Sequence, residues 1–501
     1  MSLLKNHYFS NESSDSDAVK RLKKYLYYYD LNEHPEINKF EKPIFGDKAF
    51  KELLRRKFYW KDKQYEDPFK IDIEFRYFLL TSNSKFINGP LVKEAMKKAR
   101  VAELATIDMN IKNALDKSYE AWSKVTNIYF TEVFDYNKAD LVVGFYSKNI
   151  GKTDLNPFTR SPNEKNYKFH SWFNVNNRKF LDPKCLEVNR NIRKAFIHEI
   201  GHQLCLSHPS KYDASDKEKP TYEKKASHFE DSFAYSVMSY FNESYTGQDF
   251  KGFLPSCPMM DDIAAVQALY GVKKKPDDIK IIYGFNSNTN LDYTTAINED
   301  SKLLFCACSP IGENVINIFD FSGFKQDQVI NLNEAAFSDI GGLQGNVSIS
   351  RGCIISAAIG GEGNDIIIGN NTGNRLDGIA GDNIFYSGFG GYNALYPGTG
   401  KNTFVYLSGN QSVKDAYDII FHFKTGKDKV DLSGFYFGDK KRKVRFVSRD
   451  VFEQPGDAYL KFESISNSIT LIIKLGEGMR SDEFNLVFLY SKEVTEADFI
   501  L

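Results

Sequence analysis

Residues Ala195–Tyr212, AFIHEIGHQLCLSHPSKY, contain three of the eight histidines of the chain. His198 and His202 are four residues apart, so on a helix they share one face and can present two imidazoles to one metal ion. Glu199 is rotated by about 100° from His198, which leaves its carboxylate free to approach a water on the open side of that ion. The HExxH pattern is weak by itself, because a satisfied helix histidine pair with a solvated glutamate fits the same letters.

His208 makes the metal interpretation much stronger. A continued helix would carry it about 15 Å along the axis from His198, whereas a zinc–nitrogen bond spans about 2 Å. The chain must therefore stop and turn back after His202 if the third imidazole is to meet the other two. If it does, three neutral imidazoles and one open position make a catalytic zinc site, with Glu199 as the general base for the water.

Length and composition limit the number of domains, the kinds of binding partner and the cellular location. A chain of 501 residues exceeds the size at which single cores stop growing, about 250–300 residues, so two large domains are expected. The formal charge of -1 gives no argument for nucleic acid or an acidic membrane surface. No apolar run reaches the roughly 18–20 residues of a membrane span, and the first residues lack the hydrophobic core of a Sec signal, so composition alone favours the cytosol. Six cysteines are too few for a disulfide scaffold.

The two halves of the chain follow different patterns. Up to Gly271 the sequence mixes helices and strands, which indicates α+β or α/β organisation. The patterns predict a half-buried strand at IDIEFRYFLL (71–80), one long helix at 90–122, a buried strand at ADLVVGFY (139–146), a helix at 189–204, and a helix at 260–271 that Gly271 ends.

Beyond Lys275, short β-rich runs alternate with Gly, Asn and Asp turns. A nine-residue period appears at GGEGNDIII (360–368), GNNTGNRLD (369–377), GIAGDNIFY (378–386), GFGGYNALY (388–396) and PGTGKNTFV (397–405). In such repeats six residues turn and three form a short parallel strand, so the turns stack into a solenoid. A glycine-rich linker has no reason to keep the apolar eighth position in register, as this chain does at Ile367, Leu376, Phe385, Leu395 and Phe404.

These residues resemble a known family. HEIGHQLCLSHP is similar to the metzincin zinc signature HExxHxxGxxH, and its His-Pro ending is typical of the serralysin branch. YSVMSYF (235–241) resembles the methionine turn of that branch, which implies Met238 beneath the zinc and Tyr240 as a switchable extra ligand. The resemblance continues through PMMDDIAAVQALYG, INLNEAAFSDIGGLQGNVSIS and the nonapeptides, so it covers nearly the whole chain.

The resemblance implies an α+β metzincin-like protease domain followed by an all-β parallel β-roll. It also implies an extracellular, calcium-stabilised zinc endopeptidase acting on protein or peptide substrates, exported by a type I system through a C-terminal signal that the final DFIL suits. That location overrides the cytosolic expectation. We expect a monomer with no nucleic-acid or membrane partner and with room for a small proteinaceous inhibitor. The expected boundaries are 1–18 for a possible propeptide, 19–274 for the protease domain and 275–501 for the β-roll.

Cys205 replaces the bend glycine of the family. Such a turn requires a positive φ, which costs a bulkier residue about 1–2 kcal/mol. Zinc can supply on the order of 10 kcal/mol, so the site is expected to form. A thiolate so near the metal could also compete for the open position and silence the enzyme, but a bend residue usually points its side chain away from the ligands it turns.

The repeats also depart from the family. Asparagine fills most sixth positions, and it brings calcium no charge, so we predict fewer or weaker calcium sites than the family average. His422 stands where an acid is expected. The possible calcium residues are Gly361, Gly363, Asp365, Asn374, Asn383, Asn393, Asn402, Asp418 and Asp428.

Three further expectations remain open. The segment 151–175 before and at the cleft edge is more basic than the resemblance leads us to expect, through Arg160, Lys165 and Lys168, and it is interpreted as a solvated loop that ends in a strand at SWFNV. His170 and His228 are expected on the surface, because three histidines already complete the zinc set. The alternatives to an active protease are a catalytically impaired secreted binding protein on the same scaffold and an adhesion module carried by the β-solenoid.

Overall fold

The computed structural model describes residues 15–26, 49–54, 73–85, 87–150, 156–162, 168–213, 216, 218–273, 279–310, 314–437, 442–476 and 481–501. Its helices are α1 (Asp17–Leu26), α2 (Ala49–Leu53), α3 (Pro90–Ala99), α4 (Met109–Val125), α5 (Arg178–Leu181), α6 (Asn191–Gln203), α7 (Tyr222–Lys225) and α8 (Met260–Tyr270).

The first half is built around one mixed sheet. Its strands are β1 (Ile73–Leu80), β2 (Val101–Leu104), β3 (Ile128–Glu132), β4 (Leu141–Asn149), β5 (Phe158–Arg160) and β6 (Phe169–Asn174). They follow the order β3-β1-β4-β6-β5, with β2 also paired to β4, and β5 is an antiparallel edge strand. The strand predicted at 139–146 is confirmed as β4. Residues 73–80 of the strand predicted at 71–80 form β1, while residues 71 and 72 lie outside the described residues. Strand β1 buries alternate side chains, as a half-buried strand should.

The single helix predicted over 90–122 is wrong. The structure has α3, then the short strand β2, then α4. Arg100 ends α3 in the left-handed region at φ 56°, where its N–H bonds back to the carbonyls of Met96 and Lys97. Asp108 then starts α4 by accepting the Ile111 N–H at 2.8 Å. Periodicity missed the break because the buried ends of β2, Val101 and Leu104, are three residues apart and so also fit a helix.

The second half is a β-roll made of short strands. These are β7 (Lys280–Gly284), β8 (Phe305–Ala307), β9 (Ile316–Asp320), β10 (Val329–Asn331), β11 (Phe337–Ser338), β12 (Val347–Ile349), β13 (Ala357–Ile359), β14 (Ile366–Ile368), β15 (Arg375–Asp377), β16 (Ile384–Tyr386), β17 (Ala394–Tyr396), β18 (Thr403–Val405), β19 (Asp418–Phe421), β20 (Lys429–Asp431), β21 (Arg445–Phe446), β22 (Asp457–Glu463), β23 (Ser468–Lys474), β24 (Glu483–Leu489) and β25 (Phe499–Ile500).

Successive nonapeptides alternate between two parallel sheets, as a solenoid requires. One sheet runs β10-β14-β16-β18-β20-β25, and the other contains β9-β13-β15-β17-β19 in consecutive pairs. The apolar eighth positions pair in register, Ile367 with Phe385 and Leu376 with Leu395, and they are at most 1% exposed. The rings of Phe385 and Phe404 stack with centroids 5.0 Å apart. The predicted solenoid and the fold class are therefore confirmed.

Helix α1 lies on the β-roll, although the sequence boundaries assigned it to the protease portion. Val19 and Leu22 are fully buried against a cluster that includes Ile366, Ile384 and Val405 on the outer side of one roll sheet. The Ser16 hydroxyl bonds the Asp431 carboxylate of β20. Because α1 covers the face of this roll sheet that is turned away from the interior, the sheet has buried apolar side chains on both of its faces.

Two arginines connect the halves, Arg193, which is buried, and Arg351, which is partly buried. Arg193 of α6 forms a two-pronged ion pair with Asp292, at 2.9 and 3.2 Å, in the segment that follows β7. Arg351, in the loop after β12, reaches back to Asp261 of α8 at 3.1 Å and to Glu230 at 3.6 Å. The helix that carries the histidine pair is thus anchored directly to the second half of the chain.

Candidate zinc centre

The end of α6 is the feature on which the site depends. The Cys205 N–H bonds the His202 carbonyl at 3.1 Å, and the Leu206 N–H bonds the Gly201 carbonyl at 2.9 Å. These are the two hydrogen bonds of a Schellman motif, whose turning residue normally is glycine. Cys205 takes that position at φ 71°. The predicted reversal with a positive φ at Cys205 is therefore present.

The reversal brings the third imidazole to the other two. His208 Nε2 lies 3.2 Å from His202 Nε2 and 3.3 Å from His198 Nε2. A tetrahedral ion about 2.0–2.1 Å from each nitrogen would separate the nitrogens by roughly 3.3–3.4 Å. The observed spacing therefore fits a zinc ion held by three imidazoles.

Backbone carbonyls fix the tautomer of each histidine. Nδ1 lies 2.8 Å from the Val237 carbonyl in His198, 2.8 Å from the Leu206 carbonyl in His202 and 2.9 Å from the Tyr212 carbonyl in His208. A carbonyl only accepts, so each Nδ1 carries the proton and each Nε2 keeps its lone pair. Three lone pairs pointed at one another repel unless a cation lies between them, and this is the strongest fit of the chain to zinc.

The Cys205 thiol lies outside this donor group. Among the described residues, the cluster of side chains able to hold a metal contains His198, His202 and His208 and no cysteine. Cys205 is fully buried, and its thiol lies against Tyr270 of α8, whose pKa burial raises well above its usual value with a further contribution from that thiol. The expectation that the bend residue points away from the ligands holds in this geometry.

The methionine turn lies directly beneath α6. A Cβ added to Gly201 would stand 2.5 Å from Met238 Sδ and 3.2 Å from the Trp122 ring, so only glycine allows this approach. Asp262 of α8 fixes the turn from below: its carboxylate accepts the Val237 N–H at 2.7 Å and the Ser236 hydroxyl at 2.7 Å. Burial raises the pKa of Asp262 to about 7. Since Val237 also holds His198, Asp262 helps to orient that imidazole.

A second buried acid organises the loop after His208. Asp231 accepts the Tyr212 hydroxyl at 2.8 Å, the Ser239 hydroxyl at 2.8 Å and the Ser210 hydroxyl at 2.6 Å. The Tyr212 carbonyl in turn holds the His208 imidazole. Sequence reasoning missed Asp231 and Asp262; the signal was a pair of acids in otherwise apolar stretches, FEDSFAY and MMDDIAAV.

Glu199 and Tyr240 face the same cavity as the three imidazoles. This cavity has a volume of about 360 Å³, and its lining includes both residues together with Phe158 and Thr159 of β5. Glu199 is 5% exposed, and one of its carboxylate oxygens accepts the Thr159 hydroxyl at 2.6 Å. The Tyr240 ring packs on that of His208, with centroids 4.5 Å apart. The predicted catalytic residues are thus brought together with the predicted ligands.

His170 and His228 are not on the surface, so the prediction made for these two histidines is wrong. His170 is 5% exposed and His228 is 1% exposed. His170 lies on β6 with Nδ1 3.2 Å from the Lys168 carbonyl and Nε2 3.0 Å from the Tyr136 hydroxyl, and burial lowers its pKa to about 4. Both are satisfied core histidines outside the metal cluster. The segment interpreted as a loop before β6 contains the edge strand β5, while 151–155 and 163–167, with Lys165, lie outside the described residues.

The sixth positions of the repeats form a buried ladder of hydrogen bonds. The side-chain oxygen of each such residue accepts the backbone N–H of the corresponding residue on the preceding turn of the solenoid, next to the neighbouring strand of the same sheet. The acceptors are Asn383 from Asp365 at 2.8 Å, Asn393 from Asn374 at 2.8 Å, Asn402 from Asn383 at 3.2 Å, Asp418 from Asn393 at 3.1 Å and Asp428 from Asn402 at 3.0 Å. All of these side chains are at most 2% exposed.

The amide nitrogens of the same asparagines face acceptors. Asn383 Nδ2 donates to the carbonyls of Gly378 at 3.3 Å, Ala380 at 2.8 Å and Gly381 at 3.3 Å. At the acid end of the ladder, Asn393 Nδ2 donates to Asp418 at 2.8 Å and Asn402 Nδ2 donates to Asp428 at 3.1 Å. Calcium requires six to eight oxygens. At Asn383 an amide donor, with two protons shared among these acceptors, faces the turn carbonyls.

The first repeat keeps an acid and two glycines, but its contacts are with backbone groups. Asp365 accepts the Gly361 N–H at 2.7 Å and the Gln328 N–H at 2.9 Å, and burial raises its pKa to about 7. A Cβ on Gly361 would stand 2.2 Å from the Phe324 carbonyl oxygen, and one on Gly363 would stand 2.4 Å from that of Gln326. The two glycines are therefore required by the close approach of neighbouring turns.

Three convergent imidazoles above a methionine turn, with an acid one residue after the first, define a metzincin-type zinc metalloprotease. The sequence profile described as Matrixin matches residues 98–232, and that of the Peptidase M10 serralysin C terminal matches residues 274–501. The chain is 41% identical over 502 residues to a serralysin of Photorhabdus laumondii, covering 100% of both proteins. It is 36% identical over 479 residues to the metallopeptidase AprA of Pseudomonas marginalis, covering 94% of this chain and 95% of that protein.

The chain belongs to the serralysin family, and it is a secreted zinc metalloendopeptidase. It is also 42% identical over 356 residues to serralysin B of Dickeya chrysanthemi, covering 70% of this chain and 72% of that protein. The family implies zinc and calcium as cofactors and proteins as substrates. Within the described residues, no helix combines the length and apolar character needed to cross a membrane.

Proposed function

We propose that this protein hydrolyses peptide bonds with Glu199 as general base, His198, His202 and His208 as zinc ligands and Tyr240 as a further ligand and oxyanion donor. The observation that carries the proposal is the convergence of three unprotonated Nε2 atoms, 3.2 and 3.3 Å apart, in the cavity lined by Glu199. When bound, zinc polarises the scissile carbonyl and makes water a better nucleophile at neutral pH.

The chain's own residues perform the proton transfers. The Glu199 carboxylate accepts the proton of the attacking water and delivers it to the leaving amine. Tyr240 donates its hydroxyl to the oxygen on which negative charge develops, which stabilises the transition state more than the ground state. Its ring contact with His208 keeps it at the rim of the same cavity.

Glu199→Gln tests the assigned base, because the amide keeps the shape of the side chain and removes its basicity. We expect bound zinc to remain and cleavage of casein to fall by about 10²–10⁴-fold. Glu223→Gln, on the exposed side of α7, is the matched control and retains wild-type activity. Zinc-loaded Glu199→Gln that still cleaves casein at the wild-type rate would remove the assignment of the base, whereas zinc-loaded wild-type protein that does not cleave casein would favour the impaired or adhesive alternatives.

We also propose that the β-roll has fewer or weaker calcium sites than the family average. The supporting observation is the asparagine ladder, in which amide donors take the place of a cation facing the turn carbonyls. Neutral amides also avoid the repulsion between stacked carboxylates that calcium would otherwise have to neutralise. Stacking of the apolar eighth positions then stabilises the roll with little metal.

Calcium titration of the zinc-loaded protein tests this proposal. We expect thermal unfolding in calcium-free, zinc-supplemented buffer to differ little from unfolding with calcium. Asn383→Asp replaces the donor with a charge opposite three carbonyls, so it should lower the unfolding temperature without calcium and regain it with calcium. Asn364→Asp, on an exposed turn two repeats earlier in the chain, is the control. A full set of tight calcium sites in the wild-type protein would overturn the proposal.

Export by a type I system through the C-terminal residues is proposed from the final DFIL. Phe499 and Ile500 form β25, which pairs with β20 in the folded protein, so the signal would be read before this strand docks. Fusion of residues 442–501 to a passenger protein tests whether this segment directs export. We further propose a monomer whose cleft accepts a small proteinaceous inhibitor, which light scattering and inhibitor titration would test.

A propeptide is proposed within residues 1–18, ahead of a protease domain to residue 274 and a β-roll from 275. The Ser16 side chain accepts the Val19 N–H at 3.1 Å at the start of α1, and Lys23 pairs with Asp15 at 2.7 Å in a buried contact. A cut after residue 18 would remove both interactions, so we favour cleavage before Asp15. Mass spectrometry of the secreted protein locates the cut.

A further inference from the structure

The edge strand of the protease sheet delivers a hydroxyl to the assigned base. Thr159, the middle residue of β5, donates to Glu199 Oε2 at 2.6 Å. A hydrogen bond to an ionised carboxylate at this length is among the stronger protein hydrogen bonds. Thr159 also lines the cavity that contains the three zinc ligands. The contact therefore joins the strand at one wall of the cavity to the helix at its floor.

Ser171 is a further hydrogen-bond partner of the Thr159 hydroxyl. The two residues are opposite each other in the antiparallel pair β5–β6, with their hydroxyl oxygens 2.7 Å apart, and Ser171 is 1% exposed. A hydroxyl has one proton, and an ionised carboxylate can only accept. If Thr159 donates to Glu199, Ser171 must donate to Thr159. The register of the sheet thus sets a one-way chain of donors from Ser171 through Thr159 to Glu199.

Such a chain acts on the orientation of the carboxylate. The last torsion of a glutamate side chain has a broad, roughly two-fold distribution, so packing alone leaves the plane of the carboxylate poorly defined. A short hydrogen bond to one oxygen selects one orientation. General base catalysis depends on this orientation, because displacement of a reacting group by about 1 Å can lower a rate by about 10²-fold.

We propose that Thr159 is a positioning residue for Glu199 and that Ser171 holds the Thr159 hydroxyl in its donating state. This inference rests on the proposed function, since it assigns a partner to the base named there. It deepens that function by placing a determinant of turnover on β5, outside the zinc-binding motif. The zinc ligands are held by the carbonyls of Val237, Leu206 and Tyr212, so this donor chain is separate from metal binding.

The test compares Thr159→Val, which keeps the shape and removes the hydroxyl, with Thr159→Ser, which keeps the hydroxyl. We expect Thr159→Val to lower kcat on a quenched fluorescent peptide by about 10–100-fold with KM within about twofold of wild type. Thr159→Ser should restore kcat to within about threefold. Zinc affinity should be the same in all three proteins. Thr131→Val, on the opposite edge strand β3, is the matched control.

Ser171→Ala provides a second, independent measurement. Alone it should lower kcat less than Thr159→Val does, and added to Thr159→Val it should have no further effect, because the donor chain is already broken. In the metal-free protein, Thr159→Val should lower the unfolding temperature more in the wild-type background than in Glu199→Ala, because the contact with Ser171 is lost in both backgrounds and the contact with the carboxylate only in the first.

Three results would overturn the inference: wild-type kcat in Thr159→Val, an equal loss in Thr159→Ser, or loss of zinc that accounts for the loss of activity. Failure of the proposed function is distinguishable, because it appears as retained activity in Glu199→Gln whatever the Thr159 variants do.

Discussion

Cys205→Gly tests how a non-glycine residue closes the turn on which the zinc centre depends. Three contributions to the free energy of unfolding oppose one another. Release of the left-handed conformation at φ 71° stabilises the variant by about 1–2 kcal/mol. Glycine gains backbone freedom in the unfolded chain, which costs about 0.4–1 kcal/mol. Loss of a fully buried side chain of two heavy atoms costs roughly 1–2 kcal/mol.

The costs slightly exceed the gain, so we expect Cys205→Gly to lose about 1 kcal/mol or less and to keep its activity within about twofold. Cys205→Ala separates the contributions, because it keeps the backbone strain and loses only the sulfur. It should be destabilised by about 1 kcal/mol. Urea unfolding with zinc in excess gives the stabilities, and casein hydrolysis gives the activities.

Two outcomes would contradict this expectation for Cys205. A gain in activity of tenfold or more in Cys205→Gly, with unchanged zinc content, would show that the thiolate competes for the metal. A loss of more than about 3 kcal/mol would show that the Cys205 thiol and its contact with Tyr270 contribute far more to the packing of α6 on α8 than burial accounts for.

Three further predictions follow from buried contacts. Gly201→Ala places a methyl group 2.5 Å from Met238 Sδ, so it should lower stability by about 1–3 kcal/mol and weaken zinc binding, measured by competition with a coloured chelator. Arg351→Met leaves two buried carboxylates facing each other, so urea unfolding should show a loss of about 3–5 kcal/mol, and a loss below 1 kcal/mol would contradict this. Burial lowers the pKa of His170 to about 4 in the folded protein, below its value in the unfolded chain. As the pH falls from about 6.5 to 4, the unfolded chain takes up the extra proton, and the free energy of unfolding decreases by up to roughly 3 kcal/mol. His170→Gln should flatten this part of the stability profile, and an unchanged slope would assign it to other groups.

The site and the roll were largely predictable because their signals are local. The spacing of His198 and His202 specifies one helix face, and the nine-residue period specifies which side chains point into the solenoid. The break within 90–122 was not predictable in the same way. Buried residues three apart at Val101 and Leu104 satisfy a helix and a short strand equally, and pairing with β4, distant in sequence, decides between them.

The positions of His170 and His228 show another limit. A lone histidine carries no periodic signal, and its burial depends on partners that folding supplies, such as the Tyr136 hydroxyl and the Lys168 carbonyl. The same holds for Asp231, Asp262 and Thr159, whose contacts with the zinc centre join residues between 8 and 40 positions apart.

Residue type and short spacing along the chain specify which atoms this protein can offer a metal, where its chain must turn to gather them, and which residues repeat to build the roll. How those atoms are held depends on the folded arrangement of the chain. The carbonyls that set each imidazole tautomer, the acids under the methionine turn, the hydroxyls behind Glu199 and the asparagine ladder of the β-roll all depend on contacts between separate segments. Hydrogen bonds form at about 3 Å whatever the separation along the chain, so spacing in sequence cannot specify them.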